Sequence, residues 1–323
     1  MNPSGRVQNF STRDIGVVVV TYRPAGDYCA RLSKMASQGA TMVIVDNGSA
    51  EPERTCLEEH SRRHQWTFIS NATNRGVGAA LNQGVDVLAK FGLAWALLFD
   101  QDSEPSASLS ETMMETLRRH SSPSKVAVIG TSFYDTATGG RHRILRSHPR
   151  CHLWFQKVKV ASDDLESVTM VITSASLVSV RDYEKVGRFD ETLFIDYVDT
   201  DFCLRCRATG QLIAVSAAAR IEHTLGARTK KRWMGFSIRP TNHSAVRHYY
   251  IARNRMLMWR RHRLTPFHWW VFDLLTSALW LARVVFAEPS KWAKVRAMVL
   301  GTRDGVCGRI GPCPEAVRLS IEK

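Results

Sequence analysis

The strongest constraint on the fold is a run of β-branched residues near the start of the chain, I-G-V-V-V-V-T at 15–21. A continuous apolar run of this length is typical of a strand that is buried on both faces of a sheet. Strand and helix signals alternate after it, with strands at 41–45, 66–70 and 93–99 and helices at 27–39 and 76–90. This alternation predicts an α/β fold with a mainly parallel sheet.

Polar residues follow three of these strands at the point where each strand ends. The carboxyl ends carry T-Y-R at 21–23, D-N at 46–47 and D-Q-D at 100–102. In a parallel sheet these ends share one edge, and ligands bind there. We therefore expect a polar site at this edge.

The D-Q-D motif follows an apolar run, W-A-L-L-F at 95–99. Alternate residues of an extended chain share a side, so Asp100 and Asp102 are expected to lie together, with Gln101 facing away. Paired carboxylates suit Mg²⁺ or Mn²⁺, which also bind phosphates. The motif predicts a platform for a metal and a diphosphate. The alternative is a pair of solvated aspartates in a turn before a helix.

The segment N-R-G-V-G-A-A-L-N-Q-G at 74–84 begins a helix with two glycines. It resembles a dinucleotide-binding fingerprint, but Leu81 occupies the third glycine position and the segment does not follow the first strand. We therefore reject a dinucleotide site. The glycines either bring the backbone close to a ligand or allow tight helix packing.

Two later segments carry candidate site residues. The segment at 168–180 is expected to be a strand, and its small T-S-A-S run leaves room for a ligand. The acidic segment F-D-E-T-L-F-I-D-Y-V-D-T-D at 189–201 precedes a helix over about 201–208, which Asp199 or Thr200 can cap. The helix dipole explains an aspartate at the helix start better than it explains the whole acidic group.

His223 lies shortly before a basic run, R-T-K-K-R at 228–232. The basic loop, with Arg228, Lys230 and Lys231, can close over a diphosphate, and His223 can complete the metal coordination begun by Asp102. The alternatives are a structural histidine and a solvated charge run.

The net charge of +14 is concentrated in the last third of the chain. Residues 220–323 contain 20 Lys/Arg and 6 Asp/Glu, whereas residues 1–219 contain 24 of each, and six of the nine tryptophans lie in 220–323. A basic, Trp-rich segment favours contact with an anionic lipid surface or another polyanion.

Residues 267–287 form a mostly apolar segment of 21 residues, which is long enough for a spanning helix. Asp273, Thr276, Ser277 and Arg283 share one arc of such a helix, which favours a position in the membrane plane. The alternative is an amphipathic helix packed on the α/β body. The arginines that precede the segment are expected to meet anionic lipid: Arg253, Arg255, Arg260, Arg261 and Arg263.

The seven cysteines follow neither a disulfide framework nor a zinc pattern. Cys203 and Cys206 form a C-x-x-C inside a helical pattern, without a second pair. We expect ordinary thiols in a reducing compartment. Residues 1–13 are polar, and no secretory signal is expected there.

Taken in order, these motifs resemble those of family 2 glycosyltransferases. The series runs from about Ile15 to Asn254 as V-V-T-Y-x-P, V-D-N-G-S, N-x-G-x-G-x-A-x-N-x-G, D-Q-D-S, G-x-F-D-E-x-L-F-I-D-Y-V-D-T-D-x-C-L-R, E-H-x-L-G and H-Y-Y-x-x-R-N. It is most similar to the bacterial rhamnosyltransferase branch, which includes O-antigen rhamnosyltransferases and the enzyme that adds the second rhamnose to rhamnolipids.

The resemblance implies a GT-A type α/β fold over 1–235, with a nucleotide-sugar half at about 14–105 and an acceptor half at about 106–235. The charge and tryptophan pattern adds a basic, helical, membrane-associating extension at 236–323. Asp199 matches the second acid of the family's usual Glu-Asp pair, the general base. The residue before it is Val198, so Asp196 remains an alternative base.

The other residue roles also come from the resemblance. The metal ligands it implies for Mg²⁺ or Mn²⁺ are Asp100, Asp102 and His223. The nucleotide-sugar-binding set that it implies is Thr21, Tyr22, Arg23, Asp46, Asn74, Gly76, Asp100 and Gln101.

The implied reaction is inverting transfer of L-rhamnose from dTDP-L-rhamnose to a hydroxyl of a lipid-linked or glycolipid acceptor, by a peripheral protein on the cytoplasmic face of a bacterial inner membrane. Another nucleotide sugar remains an alternative donor. An alternative of another class is a nucleic-acid-binding protein. Only charge and tryptophan content favour it, and the chain has no recognisable module of that kind, so we expect no nucleic-acid partner.

Overall fold

The computed structural model describes residues 11–135, 140–141, 143–147, 155–159, 163–223, 231–233, 236–238, 242–262 and 267–322. Within these ranges only the backbone is described at 132–135, 140–141, 143, 145–147, 155–159, 222–223, 231–233, 236–238, 267–270 and 272.

The strands follow the apolar runs of the sequence. They are β1 (Ile15–Thr21), β2 (Thr41–Asp46), β3 (Thr67–Ser70), β4 (Trp95–Asp100), β5 (Glu104–Pro105), β6 (Val126–Asp135), β7 (Gly140–Arg141), β8 (Arg143–Ser147), β9 (Phe155–Lys159), β10 (Ser176–Ser179), β11 (Leu212–His223), β12 (Lys231–Trp233) and β13 (Phe236–Ile238). The predictions for β1 to β4 are confirmed.

The helices fall between these strands and then fill the C-terminal third. They are α1 (Tyr28–Ala36), α2 (Glu53–Arg63), α3 (Val77–Lys90), α4 (Leu109–Arg119), α5 (Val180–Val186), α6 (Val198–Ala208), α7 (Ala245–Arg261), α8 (Phe267–Ala287), α9 (Lys291–Val306) and α10 (Glu315–Glu322). The helix predicted over 201–208 begins one turn earlier, at Val198.

In the part of the chain that the structure describes, nine strands form one sheet in the order β3-β2-β1-β4-β10-β6-β11-β5, with β7 beside β6. Strands β3, β2, β1 and β4 are parallel, as predicted. Strand β10 runs antiparallel between β4 and β6, so the second half of the sheet is mixed.

The segment at 168–180 is a strand only at its end, contrary to the prediction. Residues before β10 are irregular, and Ala175 has a positive φ of 54°, which interrupts an extended chain. The Ser176 hydroxyl donates to the carbonyl of Ile172, which folds the segment back on itself. The small residues therefore form a turn at the edge of the sheet.

The sheet is buried on both faces, as the β-branched run at 15–21 predicts. Val17 and Val19 belong to the hydrophobic cluster on one face, and Val18 belongs to the cluster on the other. All three side chains are fully buried. Alternation along β1 thus places valine in both halves of the core.

A third hydrophobic cluster joins the C-terminal helices to the acidic segment. Tyr249, Tyr250 and Ala297 form part of its buried centre, and Phe194 and Ile195 pack against it. The C-terminal helices therefore pack directly against the acidic segment, which carries Asp199. The domain boundary at 235/236 stays a prediction.

The described arginines before α8 make contacts within the protein, and the expectation of contact with lipid is wrong for Arg253. Arg253 is fully buried and donates to backbone carbonyls. Arg255 forms an ion pair with Asp273. Arg260 donates to the carbonyl of Val306, and Arg261 donates to the hydroxyl of Thr192. Arg263 lies outside the described residues. These contacts attach α7 to the rest of the protein. Arg260 and Arg261 stay exposed, and their contact with lipid stays a prediction.

Within the described ranges, six cysteines are free thiols. Cys203 and Cys206 are buried in α6, and burial raises the pKa of each thiol. A neutral buried thiol behaves as a small apolar side chain. The two cysteine side chains of the C-x-x-C are therefore part of the hydrophobic core, and the prediction of ordinary thiols is confirmed for them.

Candidate active site

A cavity of about 480 Å³ lies at the carboxyl ends of β1 and β4. It brings together residues from the strand ends, the turn before α3, the acidic segment and α7. Its polar lining includes Tyr22, Asn47, Asn74, Gln101, Thr173, Ser174, Asp100, Asp102, Asp196, Asp199 and Arg247. Seven of the sequence-predicted site residues line it: Tyr22, Asn74, Gly76, Asp100, Gln101, Asp102 and Asp199.

Asp199 lies in the first turn of α6 and faces this cavity. Its Oδ1 accepts hydrogen bonds from the backbone N–H and the hydroxyl of Thr200, at 2.7 and 3.3 Å. Burial raises the pKa of the Asp199 carboxyl to about 6, and the charges of Asp196 and Asp100 act in the same direction. A carboxylate with this pKa is ionised at neutral pH and is a stronger base than an exposed aspartate.

Asp196 has different surroundings, although it lines the same cavity. Arg247 donates two hydrogen bonds to its carboxylate, from Nη2 to Oδ1 at 2.9 Å and from Nε to Oδ2 at 3.1 Å. No Lys or Arg in the described part of the chain forms an ion pair with Asp199. The bidentate pair stabilises the charge of Asp196 and occupies both of its oxygens.

Gln101 does not face away from the site, contrary to the prediction from strand alternation. Strand β4 ends at Asp100, and the next two residues form a turn, so the alternation stops there. The Gln101 side chain accepts from the Tyr22 N–H at 2.7 Å and donates to the Tyr22 carbonyl at 3.2 Å. Gln101 thereby fixes the backbone after β1 beside the D-Q-D turn.

Asp46 is fully buried and does not line the cavity. It accepts from the Thr21 hydroxyl at 3.1 Å and from the Ser49 N–H and hydroxyl at 3.0 and 2.5 Å. The Ser49 hydroxyl also accepts from the Arg23 N–H at 2.8 Å. Asp46 and Thr21 therefore stabilise the loops that carry the cavity residues, and in this structure Asp46 is too buried to contact a nucleotide directly.

Asn74 and Asn47 shape the turn before α3. The Asn74 side chain accepts from the N–H of Gly76 at 2.9 Å and from the amide of Asn47 at 3.1 Å. Asn47 also donates to the carbonyl of Gly76 and accepts from the N–H of Arg75. The two asparagines thus hold the backbone of this turn against the strand ends.

The glycines of N-R-G-V-G serve helix packing. Gly76 has a φ of 89°, and a Cβ there would lie 2.6 Å from the carbonyl oxygen of Phe194. A Cβ on Gly78 would lie 2.9 Å from the carbonyl oxygen of Asp190. The N–H of Val77 donates to the Phe194 carbonyl at 2.7 Å. The acidic segment therefore occupies the N-terminus of α3, and the packing alternative is the better interpretation.

The donor set of the D-Q-D turn fits a divalent metal that also binds phosphates. Asp100 and Asp102 line one cavity and supply hard carboxylate oxygens. Among the described side chains, no group of three or more His, Cys, Asp or Glu residues could hold a metal. Mg²⁺ commonly uses one or two carboxylates, completed by phosphate and water. The pair is therefore sufficient for a site of that kind.

The remaining members of the predicted set are not described at the level of side chains. The side chains of His223 and Lys231 fall outside the description, and Arg228 and Lys230 lie outside the described residues altogether. Their roles as metal ligand and diphosphate loop stay predictions.

Helix α8 buries the carboxylate of Asp273 and exposes several large apolar side chains. Asp273 is buried and accepts from Trp259 Nε1 at 2.8 Å and from the hydroxyl of Tyr197 at 3.3 Å. This carboxylate therefore connects α8 to α7 and to the acidic segment. The exposed apolar side of α8 consists of Leu274, Leu275, Leu279, Leu281 and Phe286.

No helix of the described residues combines the length and the apolar character needed to cross a bilayer.

The chain belongs to glycosyl transferase family 2, whose family model matches residues 17–187. It is therefore a glycosyltransferase, as the motif series predicts. It is 28% identical over 306 residues to the dTDP-rhamnosyl transferase RfbF of Shigella flexneri, with 92% of this chain and 97% of that protein covered.

Two solved structures share the fold. One is S. aureus TarS 1–349, with a TM-score of 0.53 and 16% identity, covering 95% of this chain and 82% of that chain. The other is the mannosyltransferase PcManGT from Pyrobaculum calidifontis in complex with GDP-Man and Mn²⁺, with a TM-score of 0.54 and 13% identity, covering 92% and 88%. The GT-A type fold prediction is confirmed.

Sequence reasoning missed several residues that shape the site. Ser49 belongs to V-D-N-G-S, and its hydroxyl, three residues after Asp46, is a local signal of a hydrogen bond to that carboxylate. Asn254 ends the H-Y-Y-x-x-R-N motif, but no sequence pattern indicates its target. Arg247 has no local signal, because its partner Asp196 is 51 residues away.

Proposed function

We propose that this glycosyltransferase is inverting and moves L-rhamnose from dTDP-L-rhamnose to a hydroxyl of a lipid-linked or glycolipid acceptor, such as a rhamnolipid or polysaccharide intermediate. The observation that carries the proposal is the single cavity shared by the D-Q-D turn and Asp199. The similarity to a protein named as a dTDP-rhamnosyl transferase supports the choice of donor.

Asp199 is the general base of this proposal. Its carboxylate accepts the proton of the acceptor hydroxyl as the acceptor oxygen forms a bond to the anomeric carbon. The bond from that carbon to the diphosphate breaks on the opposite face, so the configuration inverts and dTDP leaves. Asp196 is the weaker candidate because Arg247 occupies both of its oxygens.

Asp100 and Asp102 are the proposed ligands of Mg²⁺ or Mn²⁺, with His223 as a third. When bound, the metal neutralises the charge that develops on the leaving diphosphate. Arg228, Lys230 and Lys231, from the basic run at 228–232, are proposed to act on the same charge. The Mn²⁺ in the PcManGT structure supports this assignment.

We place the protein at the cytoplasmic face of the inner membrane, as a peripheral protein. The exposed leucines and Phe286 of α8 favour contact with the acyl region of a bilayer. The excess of 14 positive charges in residues 220–323 favours an anionic lipid surface. Asp273 of α8 accepts a hydrogen bond from Tyr197, so α8 packs beside the acidic segment. A membrane bound by α8 would therefore lie near this segment, which suits a lipid-borne acceptor.

A panel of nucleotide sugars tests the proposed donor. Purified protein with Mg²⁺ or Mn²⁺ is expected to hydrolyse dTDP-L-rhamnose faster than dTDP-glucose, UDP-sugars or GDP-mannose, with release of each donor's nucleoside diphosphate as the readout. Faster use of another donor would contradict the rhamnose assignment and leave the family activity intact. A protein that uses no donor but shifts DNA or RNA in a gel would favour the nucleic-acid alternative.

A further inference from the structure

The acidic segment that carries the proposed base has a backbone that needs support. Phe194, Asp196 and Tyr197 all have positive φ values, of 66°, 62° and 64°, although none is glycine. Such conformations are unfavourable for L-residues and persist where the surrounding structure determines them. Tyr197 immediately precedes α6, so this backbone sets the direction in which Asp199 enters the cavity.

Asn254, in the middle of α7, supplies that support. Its side-chain Nδ2 lies 2.9, 2.7 and 2.9 Å from the carbonyl oxygens of Leu193, Ile195 and Asp196. The Asn254 side chain is fully buried. Its Oδ1 accepts from Arg253 Nε at 2.9 Å, which orients the amide so that the NH₂ group faces the three carbonyls.

Helix α7 also holds the acidic segment through charged side chains. Asp196 pairs with Arg247, Asp190 with Arg261, and Asp201 with His262 just after the helix. Three of the four aspartates between 190 and 201 are thereby engaged by α7 or the residue that follows it. Asp199, the fourth, faces the cavity.

We propose that Asn254 is a positioning residue for Asp199: its amide fixes the backbone of residues 193–196, and this backbone aims the base at the acceptor. The proposal rests on the proposed function, because it assigns Asp199 the role of base. It also makes α7 part of the active site, although α7 lies outside residues 17–187, which the family model matches.

Three variants test the proposal. Asn254→Ala removes the amide, and Asn254→Asp keeps the acceptor for Arg253 but directs a carboxylate at carbonyl oxygens. Tyr249→Phe is the matched control, because it removes a buried hydroxyl that donates to Asp304 at 2.8 Å without a bond to the acidic segment. Each protein is assayed well below its Tm, with kcat, KM and the Kd for dTDP measured separately.

Both Asn254 variants are expected to lose about 10- to 100-fold in kcat, because a small displacement of a catalytic group has effects of that size. Donor KM and dTDP affinity should stay near wild type, and Tyr249→Phe should keep its kcat even where its Tm falls. A purely structural role would instead lower the Tm of the Asn254 variants and leave kcat unchanged.

The outcomes separate this proposal from the one on which it rests. Wild-type turnover by Asp199→Asn would overturn the assignment of Asp199 as the base, on which the positioning role of Asn254 rests. An inactive Asp199→Asn protein together with a fully active Asn254→Ala protein would overturn only the positioning role. Equal losses of kcat in Asn254→Ala and Tyr249→Phe would also overturn it.

Discussion

Arg247 on α7 and Asp196 before α6 form a bidentate ion pair in the lining of the candidate active-site cavity, with Nη2 2.9 Å from Oδ1 and Nε 3.1 Å from Oδ2. Asp199, three residues further along, lines the same cavity and has a pKa raised to about 6. Two carboxylates in one short segment therefore differ in their chemistry. One is held by a guanidinium, and the other is available to accept a proton.

We expect Asp199→Asn to lower kcat about 10²- to 10⁴-fold, because the amide cannot accept the acceptor proton. The Kd for dTDP should change little, since the amide preserves the shape of the side chain. Asp196→Asn, the matched change one turn away, should cost much less, because it weakens an ion pair and leaves the base intact. The reverse ranking of the two variants in steady-state assays would show that Asp196 is the base.

Asp199→Asn should also stabilise the folded protein at high pH. The pKa of Asp199 is raised from 3.8 to about 6, so the folded state binds more protons than the unfolded state between these values. Ionised Asp199 therefore costs stability above pH 6, by about 1–3 kcal/mol, and costs nothing below pH 4. Urea unfolding with chelator present should show Asp199→Asn more stable than wild type at pH 8 and equal to it near pH 4.

Metal removal should abolish transfer, and Mg²⁺ or Mn²⁺ should restore it. Asp102→Ala is expected to lose at least about 100-fold in kcat, the size of effect seen when a major stabiliser of developing charge is removed. Glu104→Ala is the control, because this exposed acid pairs with Lys34 at the surface. Full activity of chelator-treated enzyme, measured as dTDP release, would contradict the metal platform.

Replacement of Leu275 and Leu279 by Glu should weaken binding to anionic vesicles. Loss of two apolar side chains from a membrane interface costs about 3 kcal/mol or more, roughly 100-fold in partitioning. Phe91→Glu, an exposed aromatic after α3, controls for the added charge. Equal sedimentation of these proteins would rule out α8 as the docking surface. A leucine-dependent dimer in gel filtration would assign the surface to a second copy.

Gly76→Ala should destabilise the protein more than Gly92→Ala does. Both glycines have positive φ, of 89° and 73°, so alanine is strained at each, by about 1–2 kcal/mol. Only at Gly76 does the added Cβ meet the carbonyl oxygen of Phe194, at 2.6 Å, whereas no atom lies within 4 Å at Gly92. Urea titration should show the difference as a further loss of roughly 1–3 kcal/mol. Equal losses would mean that the acidic segment moves away freely.

The sequence by itself determined the elements whose signals are local. The β-branched run of β1, the helix signal of α3 and the D-Q-D motif after β4 each predict their structure from neighbouring residues, because buried strands and turns have short-range patterns. The sequence also indicates Asp100 and Asp102 as candidate metal ligands and Asp199 as a candidate base. The motif series also indicated the family and its fold.

Tertiary structure alone decided how these parts meet. It paired Asp196 with Arg247, and it set Asn254 against the carbonyls before α6, across more than 50 residues of sequence. It also buried Asp46 and turned Asp273 inward. Long-range pairing depends on which surfaces the folded core brings together, and no local periodicity encodes it. The different surroundings of Asp196 and Asp199 are therefore a property of the fold and are not encoded in the acidic segment itself.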